Sequence, residues 1–400
     1  MSTGALHLCY LPVHEPLVQT QVVPYLRGLA EAGHRIHLLT FDTGPADPAM
    51  RTALRAQGIW WHHARYHHHP RLAATAFDVL VGVLLALFIC SRYELRVVHA
   101  RSHVPAVIAM LLRVVLGNRR LVFDVRGLVA EEYADAGVWR AGGLGFRITK
   151  AIERQALRRA DAVVVLTERL RERLVEQTGR TDIVTIPCCA DVGAIAAFHE
   201  RRELVRDRFG IRDRPVLLYV GKFGGSCMED ETIELYRAGR AVLDGLFFLV
   251  STQSDHAQLA RRFAERGLDG DDFRIVRVAP DEIGEVLAAA DLGVALIRPS
   301  PSTIAASPTK IGEYLAGGLP VIVTAGIGDV DDLVRESGTG VLVADTSADG
   351  LREAARSAVA LTDDPAIPAR CRATADARLS LHGIGIPRYR ALYASLASDG

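Results

Sequence analysis

Lysine is almost missing from this sequence. Of its 47 basic residues, only Lys150, Lys222 and Lys310 are lysines, and arginine supplies the rest. A lysine kept against that bias is expected where a compact ammonium is wanted. Cysteine is scarce as well. The six cysteines, at 9, 90, 188, 189, 227 and 371, match neither a disulfide framework nor a metal-ligand spacing. A reducing, cytoplasmic setting is therefore expected. The opening MSTGALHLCYLPVHEP meets His and Glu at once and carries no cleavable secretory pattern. Walker A, GxGxxG and GxSxG runs are all missing, which removes the common ATPase, dinucleotide and hydrolase readings.

Net charge is zero, with 47 acidic residues against 47 basic ones. It is unevenly spread. Residues 1–200 carry 23 Lys+Arg against 18 Asp+Glu, and residues 201–400 carry 24 against 29. The first half leans toward an acidic partner or an anionic surface. No basic stripe or aromatic ladder is present, so nucleic acid is not an expected partner. Long apolar runs are rare too. Residues 72–90 read LAATAFDVLVGVLLALFIC, interrupted by Asp78. The clean run, 79–90, is short of the ~20 residues a spanning helix needs. A buried crossover helix is the expectation. The alternative is an interfacial helix, whose upstream flank HHARYHHHPR suits anionic lipid headgroups, giving peripheral membrane contact through 65–90 at the inner face.

What is present in abundance is βαβ rhythm. ALHLCYL, RIHLLTF, RVVHA, RLVFDV, DAVVVLT and DIVTIP read as buried parallel strands separated by amphipathic stretches. The rhythm restarts at PVLLYVG and continues through FFLVS, FRIVRV, DLGVALI, LPVIVT and GVLVA. The expected class is α/β, with two Rossmann-like, doubly wound parallel-sheet domains facing across a cleft. The expected bounds are 1–193 and 194–382, with a C-terminal helix over 383–400 crossing back to the first domain. The stretch 126–145 breaks the rhythm and reads as a long irregular loop with a short helix.

Ligands of such sheets bind beyond the carboxyl ends of the strands. The window SPSTIAASPTKIGEYLAGGLPVIV, 300–323, lies between two strands of the second sheet. Ser307 is placed as the N-cap of a helix, Pro308 as its first residue and Lys310 as its third. A helix start of this kind presents free N–H groups to a diphosphate, and Lys310 adds a point charge. Glu313 shares the face of Lys310 and suits ribose hydroxyls. An ordinary capped helix with a Lys–Glu surface pair fits these local features equally well. In the first half, Asp124 and Arg126 end one strand, and His99, Arg101, Ser102 and His103 end its neighbour. Arg126 is suited to a phosphate or acidic group, and Glu131 and Glu132 to sugar hydroxyls. An Asp–Arg pair that pins the loop is the equal alternative. His62 to His69 reads as a variable surface loop rather than a metal site. Asp329-Val330-Asp331 reads as a helix start rather than a metal-binding DxD.

The run PTKIGEYLAGGLPVI, followed by GDVDDLV, resembles the donor-site segment of retaining GT-B glycosyltransferases of family 4. YLRGLAEAGHRIHLLT, VVHARSHVPAVIA, DAVVVLTERLRERL and IPCCADV resemble further segments in the family's order, so the likeness spans nearly the whole chain. It implies a nucleotide-sugar donor of UDP or GDP type on the C-terminal domain. The acceptor, held by the N-terminal domain, would be a surface polysaccharide, lipid-linked glycan or small metabolite. Donor contacts then fall on Gly221, Lys222, Ser307, Pro308, Thr309, Lys310 and Glu313. Acceptor contacts fall on Arg101, Ser102, His103, Asp124, Arg126 and Glu131. Lys222, Lys310, Arg126 and His103 are the candidates for direct parts in a hexosyl transfer that needs no metal and no cofactor. The sequence departs from the family in four places. SCMEDE stands where the family's second basic residue, about a turn after Lys222, would fall. Ala305 stands where the family has the first of two Glu, EPLVQTQ replaces a glycine pair, and LVFDVRG lacks the usual His. A nucleotide-sugar 2-epimerase on the same fold and a non-catalytic sugar-nucleotide or partner-binding module are the rival expectations.

Overall fold

The computed structural model describes residues 3–69 and 71–398. The chain forms two compact units, Met1–Pro187 with Gly385–Gly400, and Cys188–Ile384. The first division falls six residues before the bound read from the sequence, directly after Pro187. The last helix, Ile386–Ser398, belongs to the first unit. It packs on the Val23–Glu31 helix, and Gly28 exists for that contact: a Cβ there would lie 2.6 Å from Ile386.

The first unit is a seven-stranded parallel sheet in the order β3-β2-β1-β4-β5-β6-β7. Its strands are β1 Gly4–Cys9, β2 Arg35–Asp42, β3 Ile59–Arg65, β4 Val97–Arg101, β5 Arg120–Asp124, β6 Ala162–Val165 and β7 Ile183–Thr185. Every residue of β1, β4 and β6 is buried, as near-continuous apolar runs require of strands covered on both faces. β3 escapes the sequence reading because it is an edge strand. Its sequence IWWHHAR has no apolar run, and His62 and His63 lie in it rather than in a loop. His62 is anchored at 2.9 Å to His37 on the neighbouring strand.

The helix leading to β4 also differs from expectation. It runs Arg71–Arg92, well beyond the clean apolar run, and only one side of it is buried. Asp78 does not interrupt it, because the carboxylate turns inward. It accepts from the Tyr10 hydroxyl at 2.7 Å and the His67 amide at 3.1 Å, and lies 2.5 Å from His67 Nδ1.

The second unit is a six-stranded parallel sheet, β10-β9-β8-β11-β12-β13. The strands are β8 Val216–Val220, β9 Phe247–Ser251, β10 Phe273–Val276, β11 Leu292–Ala295, β12 Val321–Thr324 and β13 Gly340–Val343. Alternate residues feed two cores. Leu218, Leu249, Ala295 and Val323 face one layer of helices. Tyr219, Phe248, Val294 and Ile322 face the other. In each sheet the strand order reverses once, between β1 and β4 and between β8 and β11. Loops leaving those strands are where such sheets bind ligands.

Candidate functional site

In the second unit the reversal point gathers most of the residues singled out for a donor. β8 ends at Val220, and Gly221 turns the chain with φ +119. A Cβ at Gly221 would lie 3.1 Å from the Lys310 ammonium, so glycine gives that ammonium its place beside the loop. The same ammonium sits 4.4 Å from the Tyr219 ring centroid, a cation–π contact. Lys222 follows, exposed, and its carbonyl accepts from the Tyr219 hydroxyl at 2.9 Å. Gly224 and Gly225 also take positive φ, so the loop is one only glycines build cheaply.

The helix carrying Lys310 runs Thr309–Ala316. Its first turn is held under the sheet by Tyr314, which is fully buried. The Tyr314 hydroxyl accepts from the Val220 amide at 2.8 Å and donates to the Val294 carbonyl at 3.1 Å. One side chain therefore ties the helix to both strands of the reversal point. Gly293 on β11 makes room, since a Cβ there would lie 2.5 Å from the Tyr314 ring.

The cap differs from expectation. Pro308 is the N-cap, extended at φ −67 and ψ 117, and no side chain fills the cap. Ser307 is engaged elsewhere: its hydroxyl accepts from the Cys188 amide at 3.1 Å. A residue 119 positions away competes for that oxygen, which no local pattern reveals. Glu313 lies one turn beyond Lys310, half-buried like it. Burial holds the Lys310 ammonium below its ordinary range, while the nearby Glu313 charge pulls the other way. Burial pushes the Glu313 carboxyl up to about 7, against the pull of Lys310. Both groups are thus short of solvation, which an anion at Lys310 and hydroxyl donors at Glu313 would relieve. Ala305 is buried in the turn Thr303–Ala305 and brings no carboxylate. Asp329 is the N-cap of the helix Val330–Ser337, and Asp331 in its first turn accepts from the Gly326 amide at 2.9 Å.

In the first unit the candidates form two buried clusters at the carboxyl ends of β4 and β5. Asp124 is the hub of one. His99 Nε2 lies 3.4 Å away, Arg126 at 3.5 Å and Arg101 at 3.8 Å. The Tyr389 hydroxyl of the last helix donates at 3.3 Å. Burial alone would raise the Asp124 carboxyl, but Arg126, His99 and Arg101 together hold it well below the usual range. Asp124 and Arg101 are therefore committed to an internal network, and Arg126 is the more open end of it. His7 packs its ring 4.4 Å from His99, and burial drives its pKa well down, so it sits neutral.

The second cluster joins His103, Glu153, Lys150 and Glu131. His103 Nε2 lies 3.3 Å from the Glu153 carboxylate. Lys150 bridges Glu131 at 2.9 Å and Glu153 at 2.5 Å. Glu153 and Lys150 were not singled out in the sequence, although the rarity of lysine pointed to Lys150. Between the clusters Ser102 holds φ 73 and ψ −172, a backbone region that side chains strongly disfavour. Its amide donates to the Asp124 carbonyl at 2.9 Å. Such strain marks a segment whose position is over-determined by its neighbours, and nothing in the residue types around it announced it.

Comparison with known proteins agrees with this architecture. The family description "Glycosyl transferase 4-like domain" matches residues 18–189, and "Glycosyl transferases group 1" matches residues 214–360. A 2-deoxystreptamine glucosyltransferase from Streptomyces kanamyceticus is 30% identical over 228 residues, 55% of this chain and 56% of that protein. The chain thus spans about half the length of that curated relative. Among solved structures, the sucrose-phosphate synthase of Thermosynechococcus elongatus superposes with a TM-score of 0.77 at 18% identity, covering 100% of both chains. The Anabaena protein HepE, solved in complex with UDP and glucose, superposes with a TM-score of 0.74 at 16% identity, covering 98% of this chain and 100% of that one. At these identities the superpositions establish the two-domain fold.

Proposed function

We propose that this chain, a GT-B glycosyltransferase built from a 4-like domain and a group 1 domain, moves a hexosyl group from a UDP- or GDP-type sugar to a hydroxyl acceptor with retention and without a metal. The observation that carries the reading is the meeting of two rare lysines at one reversal point. Lys310 is lodged against Gly221, and Lys222 is the next residue. The Thr309–Ala316 helix starts there with no side chain in its cap, so its first N–H groups suit a diphosphate. The neighbour solved with UDP and glucose supports the nucleotide class.

In this reading the bond from the anomeric carbon to the diphosphate breaks, the acceptor oxygen bonds to that carbon, and its proton passes to the leaving phosphate. Charge grows on the diphosphate in the transition state. Lys310, Lys222 and the helix start neutralise it, each such donor being worth about 2.7–4 kcal/mol of barrier. Glu313 takes the ribose hydroxyls. Gly221, Ser307, Pro308 and Thr309 shape the backbone around the diphosphate. Arg126 and Ser102 meet the acceptor, while Arg101, Asp124, His103 and Glu131 hold that surface in place from beneath. The acceptor is carbohydrate-like, whether a polysaccharide, a lipid-linked glycan or a small polyhydroxylated metabolite. The 2-deoxystreptamine glucosyltransferase, by its name, works on an acceptor of the last kind. Ala305 favours a second reading, a binding module that holds the nucleotide without turnover.

A thermal-shift screen against UDP, GDP, dTDP and ADP tests the proposal, since a ligand of the folded state raises the melting temperature by mass action. One nucleotide is expected to stabilise the protein, and Lys310→Ala and Lys222→Ala are each expected to remove that shift while leaving unliganded unfolding nearly unchanged. Labelled sugar should then pass to an acceptor extract. No shift with any nucleotide, or full transfer by both variants, would refute the site. A shift without transfer would favour the binding module.

A further inference from the structure

One side of the first unit is apolar where it meets water. The Arg71–Arg92 helix exposes Phe77, Leu80, Leu84 and Phe88 at 51–64%. Their spacing of three and four places them in a single stripe. The helix is long and apolar enough to cross a membrane by length and composition. Its other side, however, is committed to the protein. A Cβ at Gly82 would lie 2.6 Å from Ile108 and 3.0 Å from Phe41, and its one acid, Asp78, is buried and fully bonded. The adjacent His103–Leu116 helix exposes Leu111, Val114 and Val115 at 47–75%. The Leu144–Arg159 helix, packed beyond it, adds Leu144 and Ile148. Single exposed apolar residues need no explanation, but nine of them on three helices packed side by side do.

Charge gives the partner. The acids of these three helices are Asp78 and Glu153 alone, and both are buried. The exposed charges are arginines: Arg92, Arg147, Arg154, Arg158 and Arg159. Where the Arg71–Arg92 and His103–Leu116 helices end, a cavity of about 880 Å³ opens at the amino ends of the strands, away from the ligand loops. Arg35, Arg96, Arg113, Arg119 and Arg120 line it, against Glu94 and Asp161. Asp161 engages Arg113 at 2.9 Å and Arg120 at 3.1 Å. The Arg119 Nε is buried without a hydrogen-bond partner. Gly117, Asn118 and Arg119 follow Val114 and Val115 with Leu116 alone between them, so the basic cavity lies next to these exposed valines along the chain.

We propose that this face seats on an anionic phospholipid bilayer, its apolar stripe entering the headgroup–acyl boundary and its arginine cavity taking a headgroup phosphodiester. The helix lies on the membrane rather than across it, since both its ends lead into strands of one parallel sheet. The inference does not rest on the sugar-transfer reading, because none of its residues is in either ligand cluster.

The test is sedimentation of the full chain with vesicles of phosphatidylcholine alone or of phosphatidylcholine with phosphatidylglycerol. Binding is expected only with the anionic vesicles, and added salt should release it. Arg96→Gln with Arg119→Gln should weaken partition about thirtyfold, at about 1 kcal/mol per arginine near such a surface. Leu84→Gln with Phe88→Gln should weaken it at least about tenfold, with unfolding temperature and nucleotide shift unchanged. The salt arm decides the matter even if a variant fails to fold. Equal binding to neutral vesicles, or no binding to either, overturns the proposal. So does stabilisation by inorganic phosphate without vesicle binding, which marks a soluble-anion site. A dimer in light scattering that Leu84→Gln with Phe88→Gln dissolves, without vesicle binding, overturns it in favour of a second copy.

Discussion

Replacing Glu313 with Gln tests the electrostatics of the second unit's reversal point. The carboxyl is raised from 4.5 to about 7 by burial, with the opposing pull of Lys310 already included. The folded state therefore binds this proton more tightly than the unfolded state. Stability is lost as pH rises from about 4.5 to about 7. At ~1.4 kcal/mol per unit the full shift corresponds to about 3 kcal/mol of destabilisation at pH 8. Glu313 keeps part of its surface in water, so screening lowers the figure to about 1–2 kcal/mol. Glutamine keeps the shape and removes the charge. The variant is therefore expected to melt about 2–8 °C above wild type at pH 8, given ~2–4 °C per kcal/mol for a unit of this size. The two should converge near pH 5, where both side chains are neutral. The measurement is thermal unfolding at the two pH values, repeated with the nucleotide found to bind. With nucleotide the order should reverse at pH 8, because the ribose hydroxyls lose a charged acceptor. Equal melting at both pH values, or a variant less stable at pH 8 without ligand, would refute the desolvation argument.

Two further substitutions probe how the clusters are held. Tyr314→Phe strips partners from the Val220 amide and the Val294 carbonyl. It is expected to cost about 2–4 kcal/mol in denaturant unfolding and to weaken nucleotide binding by loosening the Lys310 turn. Lys150→Met leaves Glu131 and Glu153 without their shared ammonium, so chemical denaturation should show a loss of about 2–3 kcal/mol, with the ammonium's 21% exposure holding the cost down. That loss should shrink as Glu153 protonates in acid, since burial alone would raise this carboxyl but His103 and Lys150 hold it below its ordinary value.

Much of the fold was legible residue by residue. Twelve of the thirteen strands coincide with apolar runs, because a parallel strand covered on both faces must be apolar throughout. The exception, β3, is an edge strand of Trp and His with no such run. That Lys310 and Glu313 share one helix face was legible because helical spacing is local, whereas Gly221 entered only through the family resemblance, and its positive φ is a property of the fold. The Ser307 cap was misread because its oxygen serves the amide of Cys188. Of the first unit's candidates, Arg101, Asp124 and His103 are buried, and the partners Tyr389, Lys150 and Glu153 that complete their clusters come from distant helices.

The sequence by itself determined what depends on neighbours a few positions apart: two parallel sheets, the helix behind Pro308, and a lysine in its first turn, at the second helical residue rather than the third. Tertiary structure alone decided what depends on burial. It set which side of the Arg71–Arg92 helix meets water, which oxygen Ser307 gives to whom, and which charges are left short of solvent. The reason is physical. Periodicity reports a residue's face, but solvation is the sum over everything packed against that face, and most of that packing comes from far along the chain.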